Sequence, residues 1–244
     1  MRDFIILLTI APTAIILWYI NNKDPHKEPE KILSKSFTIS FLVTFLIGFV
    51  EGILNHFFPV SLEMVGSYFE LFIRIMIIIA LVEELSKWFV TKKLNYDKNH
   101  FDETFDAIVY AVVASLGFAT CENLGYVLSS GIGSSLIVAI LRLFTAVPSQ
   151  AVDGIFMGYF ISKARLSKDE VDTKSEKIYL ALSIIVPVVL HTIYDFIALA
   201  GFDYNIIMLI IFIGVTDIIA IKLVNKASIE NRPYKSIANS TNKI

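Results

Sequence analysis

Long apolar stretches alternate with short polar segments along the whole chain. Seven of these stretches approach the roughly 20 residues that an α-helix needs to cross about 30 Å of hydrocarbon. The first lacks a small-residue cleavage site, so we interpret it as a true span rather than a signal peptide. The pattern predicts an all-α fold, a polytopic transmembrane helical bundle. The predicted spans are residues 4–20, 37–57, 68–91, 105–128, 136–161, 178–200 and 204–221.

The lysine and arginine residues alternate between the loops in a way that orients these spans. Seventeen of the 21 lie in segments 21–36, 92–104 and 162–177 or after the last span, whereas only Arg2 lies on the other side. Because cytoplasmic loops are enriched in Lys and Arg, the N-terminus is predicted outside and the C-terminus in the cytoplasm. We expect a single transmembrane domain over residues 1–226. The polar tail at 227–244 is expected to be disordered.

The composition excludes several classes of protein. Hydrophobic residues make up 55% of the chain and the mean hydropathy is +0.67, above what soluble domains show. A net charge of −2 gives no indication of nucleic-acid binding. A single cysteine, Cys121, rules out a disulfide framework or a thiolate metal site.

The segment LVEELSKWFV (81–90) places three charged residues inside a predicted span. A charge at the centre of a membrane helix costs roughly 2.5–3.5 kcal/mol, so such residues face the bundle interior and are often functional. Lys87 follows Glu83 by four residues and Glu84 by three, so one ammonium group can reach either carboxylate. One ammonium group can neutralise only one of the two carboxylates. The other carboxylate can act as a general base.

Three further spans carry polar residues that do not suit lipid. The spacing of the histidine and aspartate in HTIYD (191–195) puts both on one helix face, as for a metal ligand or an imidazole beside a second polar group. We expect the polar side chains of all four spans to converge on one hydrated cavity that handles a proton or binds a cation. Besides the three charged residues of 81–90, these side chains are Glu122 and Asn123 in span four, Gln150 and Asp153 in span five, and His191 and Asp195 in span six.

The remaining charges within the spans have simpler explanations. Glu51, Arg74 and Arg142 lie near the outer ends of their helices, where snorkelling, or pairing of Glu51 with Arg74, accounts for them. Asp106 begins span four, where a carboxylate favours a helix N-terminus. Asp217 has no evident partner in the sequence, which favours a structural hydrogen-bonded role.

Five segments of the chain together resemble PrsW-type intramembrane proteases, which belong to the wider superfamily of CAAX-prenyl and bacteriocin-processing membrane proteases. The resemblance covers most of residues 15–200. The segments are KDPHKEPEKIL (23–33), EELSK (83–87), FDAIVYAVVASLGFATCEN (105–123), RLFTAVPSQAVDGIFMGYF (142–160) and HTIYD (191–195).

The resemblance implies a single transmembrane peptidase domain of the glutamate type. It implies the first cut in a membrane-anchored protein such as an anti-sigma factor, so the expected partners are a single-span membrane protein and the lipid bilayer. Carboxylate-activated water would do the chemistry, and no cofactor or metal is expected. The implied catalytic residues are Glu83, Glu84, His191, Glu122 and Asn123, and the supporting residues are Lys87, Gln150, Asp195 and Asp106.

One departure from the family leaves alternatives open. Gln150 stands where the family generally has a histidine, and glutamine cannot accept a proton near neutral pH, so activity is expected to be impaired. The alternatives are a weakened or inactive binding protein of the same fold, and a proton-coupled transporter. A zinc-assisted variant would use Glu83, Glu84, Glu122 and His191 as ligands, although the chain contains no HExxH motif.

Overall fold

The computed structural model describes residues 2–129 and 132–234, and almost all of them are helical. The predicted all-α polytopic bundle is confirmed. The helices are α1 (Arg2–Lys23), α2 (Glu30–Phe57), α3 (Leu62–Val65), α4 (Tyr68–Arg74), α5 (Leu81–Thr91), α6 (Asp106–Ser129), α7 (Ile132–Phe144), α8 (Ala146–Asp169), α9 (Thr173–Leu199) and α10 (Asn205–Ile229).

Six helical stretches in the described part of the chain are long and apolar enough to cross a membrane. They agree with six of the seven predicted spans, and the chain is a multi-pass membrane protein. The count of seven and the orientation of the termini stay predictions. The six stretches are Asp3–Lys23, Glu30–Val65, Asp106–Ser129, Ser134–Asp169, Thr173–Leu199 and Asn205–Ile229.

The predicted span at 68–91 is a helix whose winding changes along its length. A π-helical segment, Ile75–Ala80, joins α4 to α5, and a second, Lys92–Tyr96, follows α5. The residues at each junction keep right-handed helical dihedral angles, so the helix runs without a break. The first π-helical segment lies directly before the acidic residues of α5.

The predicted span at 136–161 is divided at Thr145 into two helices, which corrects the sequence analysis. Thr145 has φ −119° and ψ −67°, away from ideal helical geometry. Pro148 has no N–H to donate, and its ring excludes the carbonyl group of Phe144 from helical geometry. A new helix therefore begins at Ala146.

Helix α6 forms the centre of the bundle, with 89% of its membrane-length window buried. A Cβ atom added at Gly117 would lie 2.5 Å from the carbonyl oxygen of Phe37, so glycine lets α2 approach α6 closely. At Gly158 an added Cβ would overlap the backbone of Ala107 and Ile108 on α6. These two glycines therefore let α2 and α8 pack closely on α6.

The first part of the predicted tail packs against the protein. Helix α10 extends to Ile229, and the Tyr234 N–H donates to the carbonyl oxygen of Asp102 at 2.8 Å. The Tyr234 ring is fully buried and stacks on Phe101 with 5.7 Å between centroids. The expected disorder therefore does not extend to residues 227–234, and residues 235–244 of that tail lie outside the described residues.

Candidate active site

One cavity of about 590 Å³ lies among helices α2, α5, α6, α7, α8 and α9. Acidic side chains from five of these helices reach its wall, as the sequence analysis expected for four polar spans. The cavity therefore concentrates negative charge within the membrane part of the protein. Its ionisable lining residues are Glu51, Glu83, Glu122, Arg142, Asp153, His191 and Asp195.

A buried ammonium group connects the two acids of α5 to α8. Lys87 Nζ lies 2.6 Å from Glu84 Oε1 and 3.2 Å from Glu83 Oε2, and both pairs are almost fully enclosed. The ammonium group also donates to Gln150 Oε1, while Gln150 Nε2 donates to Glu83 Oε2 at 3.3 Å. The ring centroid of Phe118 lies 4.5 Å from the same nitrogen. The Lys87 ammonium group thus contacts two carboxylates, one amide oxygen and one aromatic ring.

His191 on α9 lies among three carboxylates. Its Nδ1 is 2.8 Å from Glu84 Oε1, which also accepts from Lys87. Its Nε2 is 3.4 Å from Asp195 Oδ2 and 3.8 Å from Glu83 Oε2. The helical spacing of four residues therefore brings His191 and Asp195 together, as the sequence predicted. The imidazole joins α5 to α9 and reaches the cavity.

Helix α5 places its polar residues on one buried face. Glu83, Glu84 and Lys87 are buried, whereas Leu85 on the other face is 39% exposed. The π-helical segment Ile75–Ala80 ends three residues before Glu83. Such wide turns occur frequently at functional sites because they change which face of a helix is presented.

Glu122 and Asn123 form a second polar group in the same cavity region, centred on Arg142 of α7. Arg142 Nη2 lies 3.1 Å from Glu122 Oε1, and its Nε donates to Asn123 Oδ1 at 2.5 Å. The guanidinium group also lies 4.2 Å from the centroid of Tyr126. Arg142 is thus a half-buried partner of Glu122, not the snorkelling residue that we expected. The Asn123 carbonyl is engaged by Arg142 and not by the acids of α5.

Glu51 faces the cavity, which corrects its predicted pairing with Arg74. Arg74 instead contacts Glu70 at 2.5 Å and donates to the carbonyl oxygen of Pro59 at 2.9 Å. Sequence reasoning paired Glu51 with Arg74 because both lie near the outer ends of neighbouring spans. The register between two helices is set by tertiary packing, and their position along the sequence does not determine it.

Asp106 does not line this cavity, so its expected supporting role is not reflected in the geometry. Its Oδ2 accepts from the backbone N–H groups of Asp102 at 2.8 Å and Glu103 at 2.7 Å. Both donors precede α6, so the carboxylate binds the loop before the helix and is not the helix cap that the sequence predicted. Asp106 belongs instead to a group with Glu28 and Asp102.

Several buried carboxylate oxygens in the cavity region have no hydrogen-bond partner among the described residues. They include both oxygens of Asp153 and one oxygen each of Glu51, Glu84 and Glu122. Buried carboxylates are normally paired or hydrogen-bonded, because an isolated one is costly. Asp153 is therefore the most unusual side chain of the cavity. It follows Gln150 by three residues on one helix face, a signal already present in PSQAVDG.

Glu83, Glu84 and His191 also meet the first requirement for a metal site, since one potential ligand atom of each lies within 4.8 Å of the others. Zinc is commonly bound by three such ligands and a water molecule. However, Lys87 Nζ contacts an oxygen of each of the two glutamates. A dication held by the same atoms would lie next to an ammonium group. The residues therefore do not fit a metal ion with Lys87 in this position.

The fold and the cavity define a class: a polytopic helical membrane protein with a buried centre of carboxylates, an ammonium group and an imidazole. Residues 28–217 match the family model described as "PrsW family intramembrane metalloprotease". The chain therefore belongs to the PrsW family, as the motifs predicted, and is a membrane peptidase by family.

Curated relatives agree with the family model. A "Protease PrsW" of Oceanobacillus iheyensis is 39% identical over 162 residues, which are 66% of this chain and 71% of the relative. That of Bacillus subtilis is 37% identical over 61% of this chain and 63% of the relative. That of Clostridioides difficile is 32% identical over 87% of each. No solved structure matches the chain.

Proposed function

We propose that this chain hydrolyses a peptide bond of a membrane-anchored protein, using water activated by a carboxylate at the cavity. The arrangement of Glu83, Glu84, Lys87 and His191 carries this proposal. It combines a carboxylate on the cavity wall, a cation behind it and an imidazole beside it. These are the groups that general acid–base hydrolysis requires.

Glu83 is the residue we assign as general base. It lines the cavity, whereas Glu84 is fully enclosed and its Oε1 is already contacted by Lys87 and His191. In the proposed step, Glu83 takes a proton from water as the water oxygen attacks the peptide carbonyl carbon. The same proton then passes to the leaving amine as the C–N bond breaks. Glu84 holds Lys87 and His191 in position.

His191 is the residue we assign to the developing negative charge on the carbonyl oxygen. It reaches the cavity through Nε2, near Glu83 and Asp195, while Nδ1 is held by Glu84. Loss of one such donor costs other hydrolases about 10²–10³-fold in rate. The side-chain oxygen of Asn123, another of the implied catalytic residues, accepts from Arg142. We therefore assign Glu122, Asn123 and Arg142 to the wall that receives substrate.

Separate isosteric variants test these assignments. Glu83→Gln and His191→Asn should each lower cleavage of a single-span membrane substrate by at least about 10²-fold, in line with lost proton transfer or charge stabilisation. Asp217→Asn is a matched control, because Asp217 also lies in a membrane helix but does not line the cavity. Parent-like cleavage by Glu83→Gln and His191→Asn would contradict the proposed mechanism.

The family description raises metal-assisted hydrolysis as a second mechanism. Elemental analysis of purified protein and loss of cleavage with a chelator would favour it over the carboxylate mechanism. A Lys87→Met variant sharpens the test, because it removes the ammonium group that competes for the glutamate oxygens. Stoichiometric zinc in the parent protein would contradict the interpretation that Lys87 prevents metal binding.

Gln150 supports a second candidate function, a binding protein with weakened catalysis. Its two hydrogen bonds connect Lys87 to Glu83, but the amide cannot carry a proton. If the missing imidazole limits turnover, Gln150→His should increase cleavage. A Gln150→Asn variant controls for the loss of the amide contacts. Substrate binding without turnover in both the parent and Gln150→His would favour the binding protein.

The proposed substrate is a single-span membrane protein of the anti-sigma-factor kind, cut at its first site. The location of the cavity among membrane-length helices supports a substrate that approaches within the bilayer. Candidate substrates can be co-expressed with the parent and with Glu83→Gln. Fragments that form only with the parent would identify the substrate class, whereas equal fragments in both would assign the cleavage to another protease.

A further inference from the structure

Asp153 is a buried acid that the proposed reaction does not use. Its side chain lies on the wall of the cavity, and the residue is only 1% exposed. Neither carboxylate oxygen has a hydrogen-bond partner among the described residues. A buried carboxyl group in this state either keeps a proton or takes a complementary positive group, and a cationic ligand would supply the second.

The remaining charges of the cavity do not supply that group. Arg142 is paired with Glu122, and Lys87 is paired with Glu83 and Glu84. His191 contacts Glu83, Glu84 and Asp195, so it already faces three acids. The charged groups of the cavity are thus committed to one another, and Asp153 is left over.

Glu51 is a second acid of the cavity with a carboxylate oxygen that lacks a hydrogen-bond partner among the described residues. It belongs to α2, lines the same space, and its buried Oε1 has no partner among the described residues. Acids on α2 and α8 therefore both face the cavity without a cation. A protein surface with this charge pattern attracts a positively charged ligand and disfavours a negative one.

We propose that the cavity binds a lysine or arginine side chain of the substrate, with Asp153 as its main partner and Glu51 as a second. The proposal rests on the proposed peptidase function, since the basic side chain belongs to the peptide that is cut. It makes the protease selective for a basic residue close to the scissile bond. Asp153 and Glu51 are specificity residues in this scheme, not groups that react.

A long side chain fits the geometry better than a small ion does. The close ligand group in this region consists of Glu83, Glu84 and His191 and includes neither Asp153 nor Glu51. A metal ion must touch all its ligands at about 2–2.5 Å. The flexible stem of lysine or arginine can instead extend through the cavity and carry its charge to an isolated acid. The cavity volume of about 590 Å³ leaves room for such a side chain beside the peptide.

The test uses single-span peptides that differ only at the positions flanking the cut, with arginine, glutamine or glutamate there. Cleavage and equilibrium binding are measured separately with the full-length parent in detergent. We expect kcat/KM and affinity for the arginine peptide to exceed those for the glutamine peptide by at least about 10-fold, the scale of one charge-assisted hydrogen bond. The glutamate peptide should be the poorest.

Two variants assign the effect. Asp153→Asn keeps the side-chain shape and should reduce the preference for arginine over glutamine to below about 3-fold, because the charged partner is lost. Glu51→Gln should reduce it by a smaller factor. Asp217→Asn, which lies outside the cavity, should retain the full preference. If Asp153→Asn does not fold, the parent peptide series and Glu51→Gln still decide the outcome.

The outcomes separate this inference from the proposed function. Equal cleavage of the arginine and glutamine peptides would overturn the basic-residue pocket and leave the peptidase intact. Tighter binding of the arginine peptide without cleavage of any peptide would support the pocket and overturn the peptidase. A preference that persists in Asp153→Asn and Glu51→Gln would overturn the assignment to these two acids.

Discussion

Two clusters of close titratable side chains lie in different environments of this protein. In each, one potential ligand atom of every member lies within 4.8 Å of the others. The membrane cluster is inside the helical bundle, and the loop cluster joins the loop after α1 to the start of α6. The membrane cluster consists of Glu83, Glu84 and His191, and the loop cluster consists of Glu28, Asp102 and Asp106.

The two clusters stabilise their acids by different means. The membrane cluster holds a cation, Lys87, against both glutamates. The loop cluster uses uncharged donors: the Tyr110 hydroxyl donates to Glu28, and two backbone N–H groups donate to Asp106. Burial raises the pKa of Glu28 to about 7, although the Tyr110 hydrogen bond opposes the shift. Each glutamate of the membrane cluster thus contacts a cation, whereas the loop cluster, held by neutral donors, contains an acid that gains a proton easily.

Removing the cation from the membrane cluster should have the largest effect on stability. Lys87→Met leaves Glu83 and Glu84 buried without their partner, and breaking such a pair typically costs about 3–5 kcal/mol. Thermal unfolding in detergent should show a large decrease in Tm. Adding Glu84→Gln to Lys87→Met should recover part of the loss, because it removes one uncompensated charge. An unchanged Tm for Lys87→Met would mean that the ammonium group does not stabilise the cluster.

Removing Asp106 from the loop cluster should have a moderate effect that spares catalysis. Asp106→Ala removes the acceptor of two backbone N–H groups in the loop before α6, and each such hydrogen bond contributes about 0.5–1.5 kcal/mol. Asp106→Asn is the matched control, because its amide oxygen can accept from the same N–H groups. Cleavage by folded Asp106→Ala protein should equal that of the parent. A selective loss of kcat would restore the supporting role that the sequence suggested for Asp106.

A further expected effect is on the pH dependence of stability. Because the pKa of Glu28 is raised to about 7 in the folded protein, its protonated form is favoured there. Its contribution is fully present below the unfolded pKa of about 4.3 and is lost as pH rises through about 7. Glu28→Gln should therefore flatten the fall in Tm between those values. An identical pH profile in the parent and Glu28→Gln would contradict this assignment.

The sequence predicted the helical class and the members of the membrane cluster for one physical reason. A charge within an apolar helix needs a partner, and helical spacing identifies partners on the same helix. This spacing places Lys87 beside Glu83 and Glu84, and Asp195 beside His191. Spacing along one helix does not predict contacts between distant segments. The close approach of α8 to α6 at Gly158 is such a contact.

Contacts between helices account for the remaining differences. Arg142 pairs with Glu122 although the two are 20 positions apart, and no local pattern indicates it. No local pattern indicates, either, that the Asp153 carboxylate has no hydrogen-bond partner among the described residues. The division at Thr145 had a local signal in Pro148, but the continuous apolar pattern across it favoured a single span.

The contact between Tyr234 and Phe101 has a practical consequence for expressing this protein. A stop codon after Glu230 would remove the stacked ring and the backbone hydrogen bond to Asp102, exposing an aromatic surface beside the loop cluster. A stop codon after Tyr234 would keep both. Four codons therefore separate a shortened gene product that keeps this aromatic contact from one that exposes the Phe101 ring.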